Sequence, residues 1–204
     1  MTGLFILTIA LSVSAVCNSQ EKDSVPTKKY STPLAEEKYW QIIEGSKTKK
    51  SQEEQHNAIL NSLKTLSLEE IAGFKIQTDK LLRHSYKNEL WCAAYIINGG
   101  CSDDGFEYFR CWLISKGKKV FYEALKNPDY LVNHASSGDS ENEFEDFWYV
   151  ANDAFRKRTG KDLYAYLEFS NENAYKPIKF TWNEEDPPSM KKICPKLFKK
   201  FWDE

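Results

Sequence analysis

The sequence predicts a mainly α fold, with a single compact multi-helix domain over residues 34–204 that ends in a loop-rich carboxy-terminal tail. A signal peptide over 1–17 and a flexible polar tether over 18–33 are expected to precede this domain. The chain has 204 residues, of which 41% are hydrophobic and 14% aromatic, enough for the core of one domain. Apolar residues recur three and four positions apart, which is the period of an amphipathic helix. Helix-capping motifs precede several of these runs.

The amino-terminal segment has the features of an export signal. Residues 3–16 form an uncharged apolar run of the length typical of a signal-peptide core, and a polar, proline-containing stretch follows it. Two kinds of processing fit. Residues 13–15 have the small-residue spacing of an ordinary signal peptidase site, whereas Cys17 resembles the cysteine that is acylated in bacterial lipoproteins. We therefore expect an exported protein, periplasmic or anchored to the membrane by a lipid on Cys17, with secretion as the alternative.

The charge balance limits the classes of partner. The 28 Lys and Arg residues against 30 Asp and Glu residues give a net charge of -2. Nucleic-acid-binding domains are normally basic, because they neutralise phosphate charge, so no nucleic-acid partner is expected. No apolar run reaches the roughly 18 residues that a membrane-spanning helix needs, so membrane contact is expected only through a lipid anchor at Cys17.

The segment from 32 to 84 predicts three helices. Thr32 and Pro33 are expected to open the first, which ends at Gly45. Ser51 and Ser67 each stand three residues before a glutamate, the spacing of a capping box, and open the second and third. The apolar residues expected to face the core are Tyr39, Trp40, Ile43, Ala58, Ile59, Leu63, Ile71, Phe74, Leu81 and Leu82.

Residues 90–117 form the most distinctive segment of the chain. One helix is expected to end near Asn98, and Gly99 and Gly100 then make a turn. Ser102 is the expected N-cap of the next helix, whose first turn carries acidic side chains and whose later turns are apolar almost all round. A cation at Arg110 inside such a helix needs an acidic partner, and Asp103 and Glu107 on the same face are the expected ones.

Residues 143–158 predict a further helix, with acidic residues at its start, basic residues at its end and Gly160 as its cap. The alternating runs at 163–169 and 178–182 are compatible with strands, but the prolines and Asn171 around them favour a loop-rich tail. Lysines alternate with apolar residues over 191–202. This pattern fits a basic patch for a membrane surface or an acidic partner, but we favour aromatic side chains docked on the core with solvated lysines.

The central segment resembles a bacterial family catalogued as domain of unknown function 4240. The resemblance rests on residues 97–117, INGGCSDDGFEYFRCWLISKG, together with the upstream LWCAAY. Three further segments agree: YWQIIEGS, FWYVANDAFRKRTGK and TWNEEDPPSMKKICPKLFKKF. The similarity extends over about residues 36 to 201. It implies a shared fold and marks the central motif, but it implies no activity and no catalytic residues.

The central motif also gives the candidate functional site. Its residues are Trp91, Cys101, Ser102, Asp103, Asp104, Tyr108, Arg110 and Trp112. The leading hypothesis is a non-enzymatic binding module, with an unknown protein or a small anionic ligand as partner and the motif as its structural centre. The alternative is a small hydrolase or ligand-processing enzyme with Asp103 or Asp104 as acid/base and Arg110 as an anion clamp. Neighbouring helical residues point about 100° apart, so the two carboxylates are poorly placed to serve one bond.

The other four cysteines, Cys92, Cys101, Cys111 and Cys194, allow three disulfide pairings. Export permits disulfides, but four buried thiols fit the sequence equally well. A helix between Cys101 and Cys111 holds them roughly 15 Å apart, beyond disulfide reach, so these two are not expected to pair with each other. Neither the cysteines nor the histidines have metal-ligand spacing, so no metal and no cofactor are expected.

Overall fold

The computed structural model describes residues 23–25, 27–137, 142–168 and 175–203. The predicted signal peptide, Cys17 and the first part of the tether lie outside these described residues. The fold is mainly α, as the sequence predicts. Its α-helices are α1 (Glu36–Ser46), α2 (Gln52–Leu63), α3 (Leu68–His84), α4 (Asn88–Asn98), α5 (Asp103–Ser115), α6 (Lys118–Lys126), α7 (Glu145–Thr159), α8 (Pro187–Ile193) and α9 (Pro195–Phe201). Short 3₁₀ helices follow α6 and α7, at Pro128–Asn133 and Leu163–Tyr166.

Serine caps begin three of the helices at the positions that the sequence predicts. The hydroxyls of Ser51, Ser67 and Ser102 each accept a hydrogen bond from the amide three residues ahead, at 3.1, 3.2 and 3.1 Å. The reciprocal glutamate bond of a capping box forms at Ser67. At α2, Glu54 instead accepts from the Lys50 amide at 3.2 Å. These local bonds set where the polypeptide enters each helix.

Helix α1 begins at Glu36, later than Thr32 and Pro33. The segment before it is not helical, and its Leu34 amide donates to the Gly73 carbonyl of α3 at 2.8 Å. The approach is close: a Cβ atom on Gly73 would lie 2.9 Å from the Leu34 nitrogen. A tertiary contact with α3 therefore delays the start of α1.

Helix α7 lies at the centre of the fold and packs against α2, α3 and α5. Its apolar side chains Phe147, Ala151, Ala154 and Phe155 are buried, and Trp148 is half-buried. Its last turn is basic, and Gly160 ends it in the left-handed conformation, with φ 73°. The residues expected to face the core from α1, α2 and α3 are likewise buried, apart from the half-buried Ala58.

The carboxy-terminal tail contains more helix than the sequence indicates. Pro187 and Pro195 occupy the first turns of α8 and α9, where a missing amide hydrogen removes no bond. Helix α9 packs on α4 and on the 3₁₀ helix Pro128–Asn133, and buries Leu197 and Phe198. This docking is the arrangement that we favour from the sequence for the apolar residues of 191–202. Of the 163–169 run, the described residues 163–168 form the second 3₁₀ helix and an isolated bridge from Leu167, not a strand.

Among the helices that the structure describes, none is both long enough and apolar enough to cross a bilayer.

Candidate functional site

The corner between α4 and α5 is built from the central motif. Gly99 ends α4 in the left-handed conformation, with φ 67°, which a residue with a Cβ atom rarely adopts. Across the turn, the Trp91 indole donates to the Cys101 carbonyl at 3.2 Å. Ser102 then caps α5 through the Gly105 amide. The motif thus fixes how α5 leaves α4, and with it the position of Arg110 two turns along.

Arg110 is buried, with 1% of its surface exposed. Its Nε donates to the Phe106 carbonyl at 3.2 Å. One terminal nitrogen, Nη1, donates to the Leu82 carbonyl of α3 at 2.7 Å and to the Tyr175 hydroxyl at 3.0 Å. The other, Nη2, is paired with the Glu107 carboxylate. The guanidinium therefore joins α5, α3 and the tail through all three of its nitrogens.

Aromatic rings enclose the same guanidinium. Its central carbon lies 4.6 Å from the ring centre of Phe106, 4.9 Å from Tyr175 and 5.1 Å from Tyr86. Tyr86 and Tyr175 stack on each other at 4.4 Å, and Trp91 stacks on Phe106 at 4.5 Å. Arginine stacks well on aromatic faces because its charge is delocalised over a flat, weakly hydrated group. The enclosure excludes water and strengthens each hydrogen bond inside it.

Glu107 is the acidic partner of Arg110, and 14% of its side chain is exposed. Burial raises the pKa of its carboxyl above the ordinary value, while Arg110 and Tyr175 act in the opposite direction. The Tyr175 hydroxyl donates to Glu107 at 3.1 Å while it accepts from Arg110. Burial also raises the pKa of Tyr175 to about 12. This hydroxyl is therefore protonated at neutral pH and bridges the ion pair.

The two aspartates of the motif do not reach this cluster. Asp103 and Asp104 are exposed in the first turn of α5, where they lie at the positive end of the helix dipole. Of the two acids expected as partners of Arg110, Glu107 forms the ion pair and Asp103 does not. The Asp103/Asp104/Arg110 group of the enzymatic hypothesis is thus separated into two environments.

The remaining predicted site residues also divide between environments. Tyr108 points to α7, where its hydroxyl donates to Glu145 at 3.1 Å, and burial together with this bond raises its pKa to about 12. Trp112 is buried and packs on Phe109, with 5.3 Å between ring centres. Of the predicted residues, Trp91 and Arg110 contact the same Phe106 ring. The structure thus brings those two together, while Tyr108 and Trp112 face other parts of the core.

Cys101 lies near Glu143 at the start of α5. Both approach Gly105, where an added Cβ atom would lie 3.2 Å from the Glu143 carboxylate and 3.8 Å from the Cys101 sulfur. Burial raises the pKa of Cys101 to about 12, with Glu143 acting in the same direction. Burial also raises the pKa of Glu143. The Cys101 thiol is therefore protonated at neutral pH, which is unfavourable for a nucleophile.

The Arg110 cluster consists of Arg110, Glu107, Phe106, Tyr86, Tyr175 and the Leu82 carbonyl, and only some of these partners could be predicted from the sequence. Glu107 follows from its spacing of three residues from Arg110. Leu82 contributes only a backbone carbonyl, and Tyr86 and Tyr175 are distant in the chain, so nothing in the motif points to them. In the described part of the chain, no group of three or more His, Cys, Asp or Glu side chains is placed to hold a metal ion.

Comparison with known protein families gives one match, and it includes the central motif. A family model described as "Protein of unknown function (DUF4240)" matches residues 34–157 of the chain. The match begins just before α1, includes the α4–α5 corner and Arg110, and ends within α7. Tyr175 and the two carboxy-terminal helices lie beyond it. No curated protein matches the chain significantly, and no solved structure does.

Proposed function

We propose that this chain, which belongs to the DUF4240 family of proteins of unknown function, is a bacterial cell-envelope protein that acts as a non-enzymatic binding module. In this proposal, the Arg110 cluster is the structural centre of the domain. The partner binds on the surface above that cluster. Export is by the amino-terminal signal, with a lipid anchor at Cys17 or secretion as the two forms.

The observation that carries the proposal is the engagement of the guanidinium. An anion clamp must offer hydrogen-bond donors to its ligand. Arg110 gives its donors to two carbonyls, a hydroxyl and a carboxylate of the same chain, and 1% of its surface is exposed. An incoming anion would have to displace Glu107 and Tyr175 to reach it. This arrangement favours a packing role over the enzymatic alternative.

The surface above the cluster supplies aromatic residues for a partner. Tyr175 is 39% exposed and Phe180 47% exposed. The Phe180 ring packs edge-on against two less exposed rings. Its ring centre lies 5.3 Å from that of Trp91 and 5.6 Å from that of Trp182. Exposed aromatic side chains on a rigid, buried layer are common at protein–protein interfaces. We therefore propose a protein partner and place its contact at residues 175–182.

The partner surface is tested by site-specific photocrosslinking in the native host. A photoreactive phenylalanine analogue replaces Phe180 in one variant and Tyr149 in the other. Tyr149 is 42% exposed but lies on α7, so it is the matched control. A discrete protein adduct at position 180 that is missing at position 149 supports the proposal. Equal adducts at both positions, or none at 180, contradict it.

Export is tested independently of binding. Residues 1–33 are fused to an alkaline phosphatase lacking its own signal, which becomes active only after export because it needs disulfides. Activity is expected for the fusion, and its absence contradicts export. Labelling with a radioactive fatty acid, for the chain and for Cys17→Ala, separates the two forms. Label that disappears in Cys17→Ala indicates the anchored form, and no label in either chain indicates the secreted form.

A further inference from the structure

Cys92 and Cys194 are two buried cysteines that meet between α4 and the junction of α8 with α9. Both side chains are fully buried. The Cys92 thiol donates to the Met190 carbonyl at 3.9 Å, and the Cys194 amide donates to the same oxygen at 3.0 Å. The neighbouring Cys92 thiol raises the pKa of Cys194, and burial acts in the same direction. Cys92 through its sulfur and Cys194 through its amide therefore approach the same carbonyl oxygen, which places the two cysteines side by side.

The other described cysteines have different surroundings. The Cys101 sulfur donates to the carbonyl of its own neighbour, Ser102, at 3.7 Å. Cys111 lies on α5, and its side chain is fully buried there. In the structure all four are free thiols. The shared Met190 carbonyl thus distinguishes one of the pairings that the sequence leaves open.

We propose that Cys92 and Cys194 form a disulfide bond that ties α4 to the carboxy-terminal helices when a disulfide oxidant acts on the protein. One cysteine thiolate attacks the oxidant disulfide, forms a mixed disulfide and releases one thiol. The second thiolate then attacks the protein sulfur of the mixed disulfide and releases the other thiol. The two cysteines lose two electrons and two protons, and the oxidant gains both as two thiols.

Burial determines when this reaction takes place. Since neither sulfur is exposed in the folded chain, an oxidant reaches them during folding, or when the α8–α9 segment leaves α4. Asp129 holds that segment in place, because its carboxylate accepts from the Lys196 and Leu197 amides at 3.0 to 3.1 Å. We therefore expect fast bond formation in oxidative refolding and slow formation in the folded, reduced protein. This inference does not rest on the proposed binding role or on export.

The test is refolding of the full chain in oxidised glutathione, with dithiothreitol as the reducing control. Free thiols are then blocked under denaturing conditions, and tryptic peptides are analysed by mass spectrometry. Trypsin leaves Cys92 and Cys101 together on peptide 88–110, and Cys194 on peptide 193–196. The Cys101→Ala variant resolves this ambiguity, because peptide 88–110 then contains Cys92 alone.

We expect peptides 88–110 and 193–196 to be cross-linked in the wild type and in Cys101→Ala, but not in Cys92→Ala. Closing a loop of about 100 residues should raise the Tm of the oxidised form by roughly 5 to 15 °C over the reduced form of the same variant. Loss of the cross-link in Cys101→Ala overturns the proposal. So does complete blocking of all cysteines after oxidative refolding.

Discussion

Replacing Arg110 with methionine removes the buried guanidinium and keeps an unbranched side chain of similar reach. The methionine side chain can still pack against Phe106 and Tyr86, so the loss of stability comes mainly from polar groups. The Leu82 carbonyl loses a bond of 2.7 Å, and Glu107, with 14% of its side chain exposed, loses its cation. Arg110→Met is therefore a direct test of the structural role of the cluster.

The expected loss is about 3 kcal/mol. Removing one partner of a buried ion pair costs about 3–5 kcal/mol, because the remaining charge stays uncompensated. We expect the lower end of that range, because burial already raises the pKa of Glu107 and the carboxyl can take up a proton once Arg110 is gone. For a domain of this size, such a loss corresponds to a drop in Tm of roughly 6 to 12 °C.

The measurement is urea unfolding followed by the fluorescence of the six tryptophans. A lower midpoint with an unchanged m-value reports a change in stability alone. Asp104→Asn is the control from the same helix: it is exposed and should cost at most about 1 kcal/mol through the helix dipole. The double variant Arg110→Met/Glu107→Met should recover part of the loss, since no buried charge remains. The structural role is refuted if Arg110→Met lowers the free energy of unfolding by less than about 1 kcal/mol. It is also refuted if Asp104→Asn lowers it by more than about 1 kcal/mol.

Three further predictions concern the stability of the helices around the Arg110 cluster, and each is tested by urea or thermal unfolding. Gly73→Ala should lower the free energy of unfolding by roughly 1–3 kcal/mol, because its Cβ atom would lie 2.9 Å from the Leu34 nitrogen. The control Gly45→Ala has open space around it and should raise that free energy by up to about 1 kcal/mol through helix propensity. Equal effects of the two variants contradict this prediction. Asp129→Ala should lose roughly 2 kcal/mol with the amide bonds at the start of α9, and an unchanged midpoint would exclude that anchoring role. Because burial raises the pKa of Glu143, the folded state holds this proton more tightly than the unfolded state, so stability falls as pH rises from the ordinary carboxyl pKa to the raised one. Glu143→Gln should flatten that fall, and a pH profile identical to wild type contradicts it.

The helix starts show how much of this fold local sequence determines. Ser51, Ser67 and Ser102 cap their helices as their spacing predicts, because a cap needs only the hydroxyl and an amide three residues ahead. The turn at Gly99 is equally local. In contrast, α1 begins late because Leu34 bonds to α3, a contact that no local pattern contains.

Two parts of the tail show why the rest could not be predicted. Pro187 and Pro195 favour a loop when read along the sequence, yet proline is also suited to the first turn of a helix. Burial of Leu197 against the core decides between these outcomes, and burial is a tertiary property. In the same way, Tyr175 completes the Arg110 cluster from a position 65 residues along the chain. The motif indicates the need of Arg110 for an acidic partner, but its contacts with Leu82 and Tyr175 could not be predicted from it.

Most side chains of the central motif make contacts that stabilise the fold, and this affects where a partner could bind. Gly99 makes the left-handed turn, Ser102 caps α5, and Gly105 allows Glu143 to approach. Phe106 carries the stacked Trp91, and Arg110 ties α5 to α3. A side chain whose polar atoms are bound within the chain must break those bonds before it can bind a ligand, and each buried bond to a charged group costs about 1.5–3 kcal/mol. For that reason we propose that a partner binds at the exposed aromatic residues outside the motif, at residues 175–182, where no such bond has to break.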